Sequence, residues 1–136
     1  MTRLIAISLI LAVSILSGCA TAYVPEGMNH CAVFGMCRGG YSENQLDQKT
    51  FSVSFQGNGR TPRETTQKYL VYRCAELTVN SGHQYFVFLN EHTEVVKNKY
   101  RANAVIQLVS ASEAVNNSKA LNAKDILKNL EPEIQR

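Results

Sequence analysis

The chain has 136 residues, 14 basic and 11 acidic, for a formal net charge of +3, with 45% hydrophobic residues and no tryptophan. A charge this close to balance leaves no nucleic-acid footprint, and the one basic cluster, Lys97-Asn98-Lys99-Tyr100-Arg101, reads as a solvated turn. The length suits one small domain.

The N-terminus has the layout of a secretory signal. Arg3 supplies a positive n-region, and Leu4 to Ile15 form an apolar run of 12 residues broken only by Ser8 and Ser14. That run is short of the ~20 apolar residues a transmembrane helix needs. Small residues then lead to a cysteine in Leu16-Ser17-Gly18-Cys19. The tetrapeptide resembles the lipobox of bacterial lipoproteins. The resemblance implies cleavage between Gly18 and Cys19, with fatty acyl chains such as palmitate carried by Cys19. Ala20 follows, where an Asp would retain such a protein in the inner membrane; the implied address is the periplasmic face of the outer membrane. One acyl chain holds weakly and two or more anchor stably. The alternative is an ordinary signal peptide, for which Ala20-Thr21-Ala22 is the nearest cleavage pattern.

Removal of residues 1–18 leaves Cys19 to Arg136, with 13 basic residues against 11 acidic ones, because only Arg3 is lost. Residues 19–48 read as a lipidated tether and irregular arm, containing Pro25 and the glycines Gly27, Gly35, Gly39 and Gly40. Its Met28, Val33, Phe34 and Met36 suggest that part of it packs on the domain. Cys31 and Cys37 form a candidate disulfide loop, in a compartment that permits one. His30 with these two cysteines would give three metal ligands, one short of the usual structural zinc set. We therefore expect no metal.

The domain proper is expected over 49–136. Thr50 to Gln56 alternates, with Phe51, Val53 and Phe55 on one face, and reads as a half-buried strand. Thr61, Pro62 and Glu64 predict a capping box opening a helix from Pro62 to about Asn80, stopped by Gly82. Leu70, Val71, Cys74, Leu77 and Thr78 share one helical face, which makes Cys74 a buried free thiol. Glu64 and Lys68 stand four apart as a favourable pair, and Arg73 and Glu76 are expected to face water. Gln84 to Asn90 is apolar on both faces and predicts a covered central strand, followed by a short strand near Thr93–Val96. Arg101 to Ser110 alternates again. Ser110 to Ala120 reads as a polar loop. Asn122 caps a last helix running to about Leu130, with Pro132 closing it. The order β-α-β-(β)-β-α predicts an α+β fold: a sheet of three to four strands packed by a long central helix and a short C-terminal helix. The first β-α-β unit would be a crossover between parallel strands.

Catalytic patterns are scarce. His30, His83 and His92 sit in unrelated settings, and no nucleophile elbow, phosphate loop or metalloprotease helix occurs. Asn58-Gly59-Arg60-Thr61 could meet an anion at a helix N-terminus, but capping is the simpler use. No catalytic residue, cofactor or enzymatic activity is expected.

Several motifs in order carry a further resemblance. Gly40-Tyr41-Ser42-Glu43 is followed by Phe51-x-Val53-x-Phe55-x-Gly57-Asn58-x-x-Thr61. Leu70-x-x-Arg73-x-Ala75-Glu76-Leu77-Thr78 and Gly82-x-x-Tyr85-Phe86 complete the set. Together they look like a family of small, uncharacterised proteobacterial lipoproteins, over about residues 39–90. The resemblance implies an envelope lipoprotein with one α+β domain and brings no chemistry. Cys31 and Cys37 precede the matching part. The functional expectation is a membrane-anchored envelope protein of non-enzymatic, structural or protein-interaction role, partnered by the membrane and other envelope proteins. The alternative is a binding module for a small ligand or cell-wall fragment, using Tyr69, Tyr72, Tyr85 and Phe88 as an aromatic pocket.

Overall fold

The structure is a computed structural model, and it describes residues 22–26 and 39–135. Cys19, His30, Cys31 and Cys37 lie outside the described residues, as does the signal segment with its Gly18.

Five strands make one sheet in the order β1-β2-β4-β3-β5: β1 Gly40–Gln45, β2 Thr50–Gln56, β3 Tyr85–Val96, β4 Lys99–Val109 and β5 Leu121–Asn122. Among the described residues three helices accompany it: α1 Arg63–Asn80, α2 Ala111–Val115 and α3 Ala123–Leu130, the last followed by a 3-10 turn at Glu131–Glu133. The α+β class, the long central helix and the short C-terminal helix stand as the sequence predicts. The sheet has one strand more than the upper expectation.

All neighbouring strands are antiparallel. β2 and β3 nevertheless run parallel to each other, because β4 lies antiparallel between them. The β2-α1-β3 crossover therefore spans an intervening strand rather than joining direct neighbours.

The core lies between the sheet and α1. Phe51, Val53 and Phe55 face Ile106, Ala104 and Ala102 across the β2–β4 register, so each large side chain of β2 beyond Phe51 meets a small one. Those alanines leave room for the rings and for α1, which buries Tyr69, Leu70, Tyr72, Cys74, Ala75 and Leu77 over them. Each large apolar side chain buried there contributes about 1.5–3 kcal/mol. Ile126, Leu127 and Leu130 of α3 pack on the same core from α1's flank.

Several local readings need correction. The capping box at Thr61 does not form. Pro62 is the N-cap and offers no side-chain bond. Thr61 instead turns back to Asn58, donating to its Oδ1 at 3.0 Å and accepting its N–H at 3.2 Å. The C-terminal stop is as predicted: Gly82, at φ +77°, lets His83 N–H donate to Thr78 C=O and Gly82 N–H to Val79 C=O. Lys68 pairs with Glu133 and not with Glu64.

The two strands expected over 84–96 are one strand with a bulge between Phe88 and Asn90. Coverage on both faces holds only near its start, where Phe86 and Val87 are both buried; Leu89 is exposed. Gly40–Gln45, read as irregular arm, forms β1. Ser110–Glu113, read as loop, opens α2 with a complete capping box. Asn122 caps α3 as expected, accepting from Lys124 and Asp125 N–H.

Candidate functional site

Charged and aromatic side chains assemble where the segment 22–26 meets β1 and α1. Tyr41 N–H donates to Val24 C=O at 2.9 Å, and Glu26 N–H donates to Tyr41 C=O at 2.8 Å. The segment thus runs as a short parallel partner of β1, bridged at Pro25 and Tyr41. It passes so close to Gly40 that a Cβ there would stand 2.4 Å from the Val24 carbonyl oxygen, and Gly40 holds φ +127°. Glycine is required on both counts.

Tyr23 inserts its ring into the core and is only 5% exposed. Four rings surround it: Tyr41 at 5.0 Å, Tyr72 at 5.1 Å, Tyr69 at 5.6 Å and Phe55 at 6.4 Å between centroids. Its contacts with Tyr69 and Tyr72 are edge-to-face, a favoured aromatic geometry. The Tyr23 hydroxyl donates to Glu76. Its backbone N–H donates to Gln135 C=O at 2.6 Å, while Gln135 N–H donates to the Tyr69 oxygen at 3.1 Å. Segments from both ends of the described chain are therefore tied together over α1. Burial first, then the bond to Glu76, pushes the Tyr23 phenol well above its ordinary value. It is a neutral donor.

Arg73 organises the charges beside that ring. Its guanidinium grips Glu43 with two bonds, at 2.6 and 2.7 Å, and donates to Glu76 at 3.0 Å. It also lies over the Tyr41 ring, 4.2 Å from the centroid. Desolvation opposes the Arg73 charge, but Glu43 and Glu76 more than offset it and hold the group above its ordinary range. The expectation that Arg73 and Glu76 face water is thus corrected: both are half-buried and engaged. These contacts join Tyr41 and Glu43 of one motif to Arg73 and Glu76 of another, 30 residues apart in the case of Glu43 and Arg73.

The other side-chain candidates are dispersed. Cys74 is a buried free thiol, as predicted. Burial, and secondarily the Glu91 charge, raise it well above the ordinary thiol range, which makes it unreactive. Tyr69 and Tyr72 are core residues, so they do not line an open aromatic pocket with Tyr85 and Phe88, which are half-buried. A concavity of about 270 Å³ lies instead on the sheet face away from α1, lined by Ser52, Asn90, His92, Glu94, Asn103 and Val105. There Asn103 Nδ2 donates to Glu94 at 3.2 Å and meets His92 Nε2 at 3.4 Å. His83 sits in the α1–β3 turn, its Nδ1 3.0 Å from Ser81 C=O. Among the described residues, no three His, Cys, Asp or Glu side chains are grouped to hold a metal, and no helix is long and apolar enough to cross a membrane.

The role of Tyr23 has no local signal in sequence, since a single aromatic residue beside Pro25 has no periodicity. The Glu43–Arg73 pair joins residues 30 apart, and its only sequence trace is that each belongs to one of the motifs that carry the resemblance. Comparison with protein-family models, curated proteins and solved structures finds no match.

Proposed function

We propose that this chain is a lipid-anchored envelope protein with a non-enzymatic role, structural or in protein interaction, acting at the periplasmic face of the outer membrane. The observation that carries the reading is the Leu16-Ser17-Gly18-Cys19 tetrapeptide closing a 12-residue apolar run, only four residues ahead of Tyr23, where the chain enters the core. The resemblance to small proteobacterial lipoproteins supports it through the same residues that build the Tyr41–Glu43–Arg73–Glu76 assembly. Those charges are satisfied by one another and serve to hold the N-terminal segment in place, which is the mechanical task of an anchored domain.

The test is Cys19→Ser. The expected result is an unprocessed precursor that incorporates no labelled palmitate. A variant that is still matured and still fractionates with the outer membrane overturns the reading. The open concavity at His92 and Asn103 favours a second reading, a binding module for a small polar ligand or cell-wall fragment. Its test is a titration of cell-wall fragments that shifts the His92 and Asn103 side-chain resonances.

A further inference from the structure

The segment 22–26 enters the fold at one particular end of the sheet. Gly40 begins β1 there, Gln56 ends β2 and pairs with Gly40, and Arg101 stands opposite Gln56 near the start of β4. Arg101 also donates to Gln56 and lies 3.8 Å from Glu26. The β3–β4 hairpin turn, Lys97-Asn98, projects from this same end, with both residues at positive φ in a two-residue loop. The β2–α1 loop joins it through Gly57 N–H, which donates to Tyr100 C=O at 2.9 Å.

The composition of this end is distinctive. Arg60, Arg63 and Lys97 are exposed on it and Lys99 is half-exposed. Val95 and Tyr100, directly paired across the hairpin, are 63% and 36% exposed. Its acidic residues are Glu26, Glu64 and Glu94, and the first two of these stand near Arg101 and in the first turn of α1 respectively. An exposed tyrosine and valine ringed by lysine and arginine match the headgroup zone of a bilayer, where amphipathic rings settle and long basic side chains reach phosphates.

Chain length supplies the second argument. If Cys19 carries the lipid, only three residues lie between it and Tyr23, four steps of chain with a reach of at most about 14 Å. That is too short to let the domain float free of the surface. We infer that the sheet end formed by the β3–β4 hairpin and the β2–α1 loop is a membrane-contact surface, seating Val95 and Tyr100 among the headgroups of an anionic phospholipid bilayer. The inference rests on the lipid-anchor reading above. It replaces the picture of residues 19–48 as a spacer with one in which the domain lies on the membrane in a fixed orientation.

The absence of tryptophan in the chain makes a direct test available. Tyr100→Trp places a single reporter on the hairpin; Leu46→Trp places one at the opposite end of the sheet, also at an exposed site. Each full chain, matured in cells and reconstituted in phosphatidylethanolamine–phosphatidylglycerol vesicles, is titrated with brominated phospholipid, and acylation of Cys19 is verified by mass. The expected result is a blue-shifted, about twofold quenched emission for Tyr100→Trp and none for Leu46→Trp. Adding Lys97→Glu and Lys99→Glu to the Tyr100→Trp chain should reduce the quenching. An acylated chain whose two reporters behave alike overturns the inference and leaves the anchor standing. A Tyr100→Trp reporter shielded in native envelopes but unquenched by brominated lipid overturns it in favour of a protein partner. Loss of acylation at Cys19 in the unmodified chain overturns the anchor reading and this inference together.

Discussion

Tyr23 is the residue on which the arrangement turns. Its ring closes an aromatic cluster and its hydroxyl satisfies Glu76, which Arg73 also contacts. A buried phenol held neutral gives a definite pH dependence. Its folded value is raised above the ordinary 10.0, so its contribution is fully present below pH 10 and is lost as pH rises through the folded value. The domain should therefore lose stability steeply above pH 10. Tyr23→Phe should flatten that alkaline slope while lowering stability near neutrality by about 1–2 kcal/mol, because Glu76 loses a partner. Urea unfolding followed at pH 7 and pH 10.5 checks both signs. An unchanged alkaline slope in Tyr23→Phe would contradict the assignment.

At the scale of elements, the glycines separate backbone conformation from space. Gly59→Ala meets no atom within 4 Å and no positive φ, so it should stabilise by about 0.5 kcal/mol through the unfolded chain. Gly82→Ala has room but must hold φ +77°, at a cost of about 1 kcal/mol. Gly40→Ala faces both φ +127° and the Val24 carbonyl at 2.4 Å, so it should cost about 2 kcal/mol or more by displacing the 22–26 segment. Thermal midpoints should fall in that order, by about 5 °C per kcal/mol. Gly40→Ala should also raise the protease sensitivity of the bond region around Val24, which the other two should not.

The same elements show what a sequence can reveal. Strand β2 was legible because Phe51, Val53 and Phe55 alternate with serines over a buried face, and the end of α1 because only glycine suits the φ of Gly82. Strand β1 was not, since Gly-Tyr-Ser-Glu-Asn-Gln buries almost nothing and is held by edge hydrogen bonds and by Arg73. Helix α2 was readable in Ser110 and Glu113, a capping box hidden by polar surroundings. The one at Thr61 had the right letters, yet Asn58 competed for the hydroxyl. Two-residue β5 is too short to carry a periodicity and is defined by its pairing alone, Asn122 with Tyr85 and Leu121 with Phe86. The tetrapeptide proposed as the lipidation site is a local motif, whereas the Tyr23 lock depends on contacts 53 residues apart and has no local trace.

For the whole molecule, the fold begins almost at once after Cys19, the proposed anchor residue. Four residues from Cys19 the chain is already in the core, bonded to β1 on one side and to Gln135 on the other. A force on the lipid would thus be borne by the sheet and α1 rather than by a loose arm. On the proposed reading, the basic hairpin at the same end would turn toward the membrane. The central claim is that Cys19 is the lipidated first residue of the mature chain. Mass spectrometry of the native protein extracted from membranes tests it most directly. The account predicts an N-terminal peptide beginning at Cys19 and carrying diacylglyceryl and amide-linked acyl mass. A peptide beginning elsewhere, or beginning at Cys19 with an unmodified thiol, would contradict it.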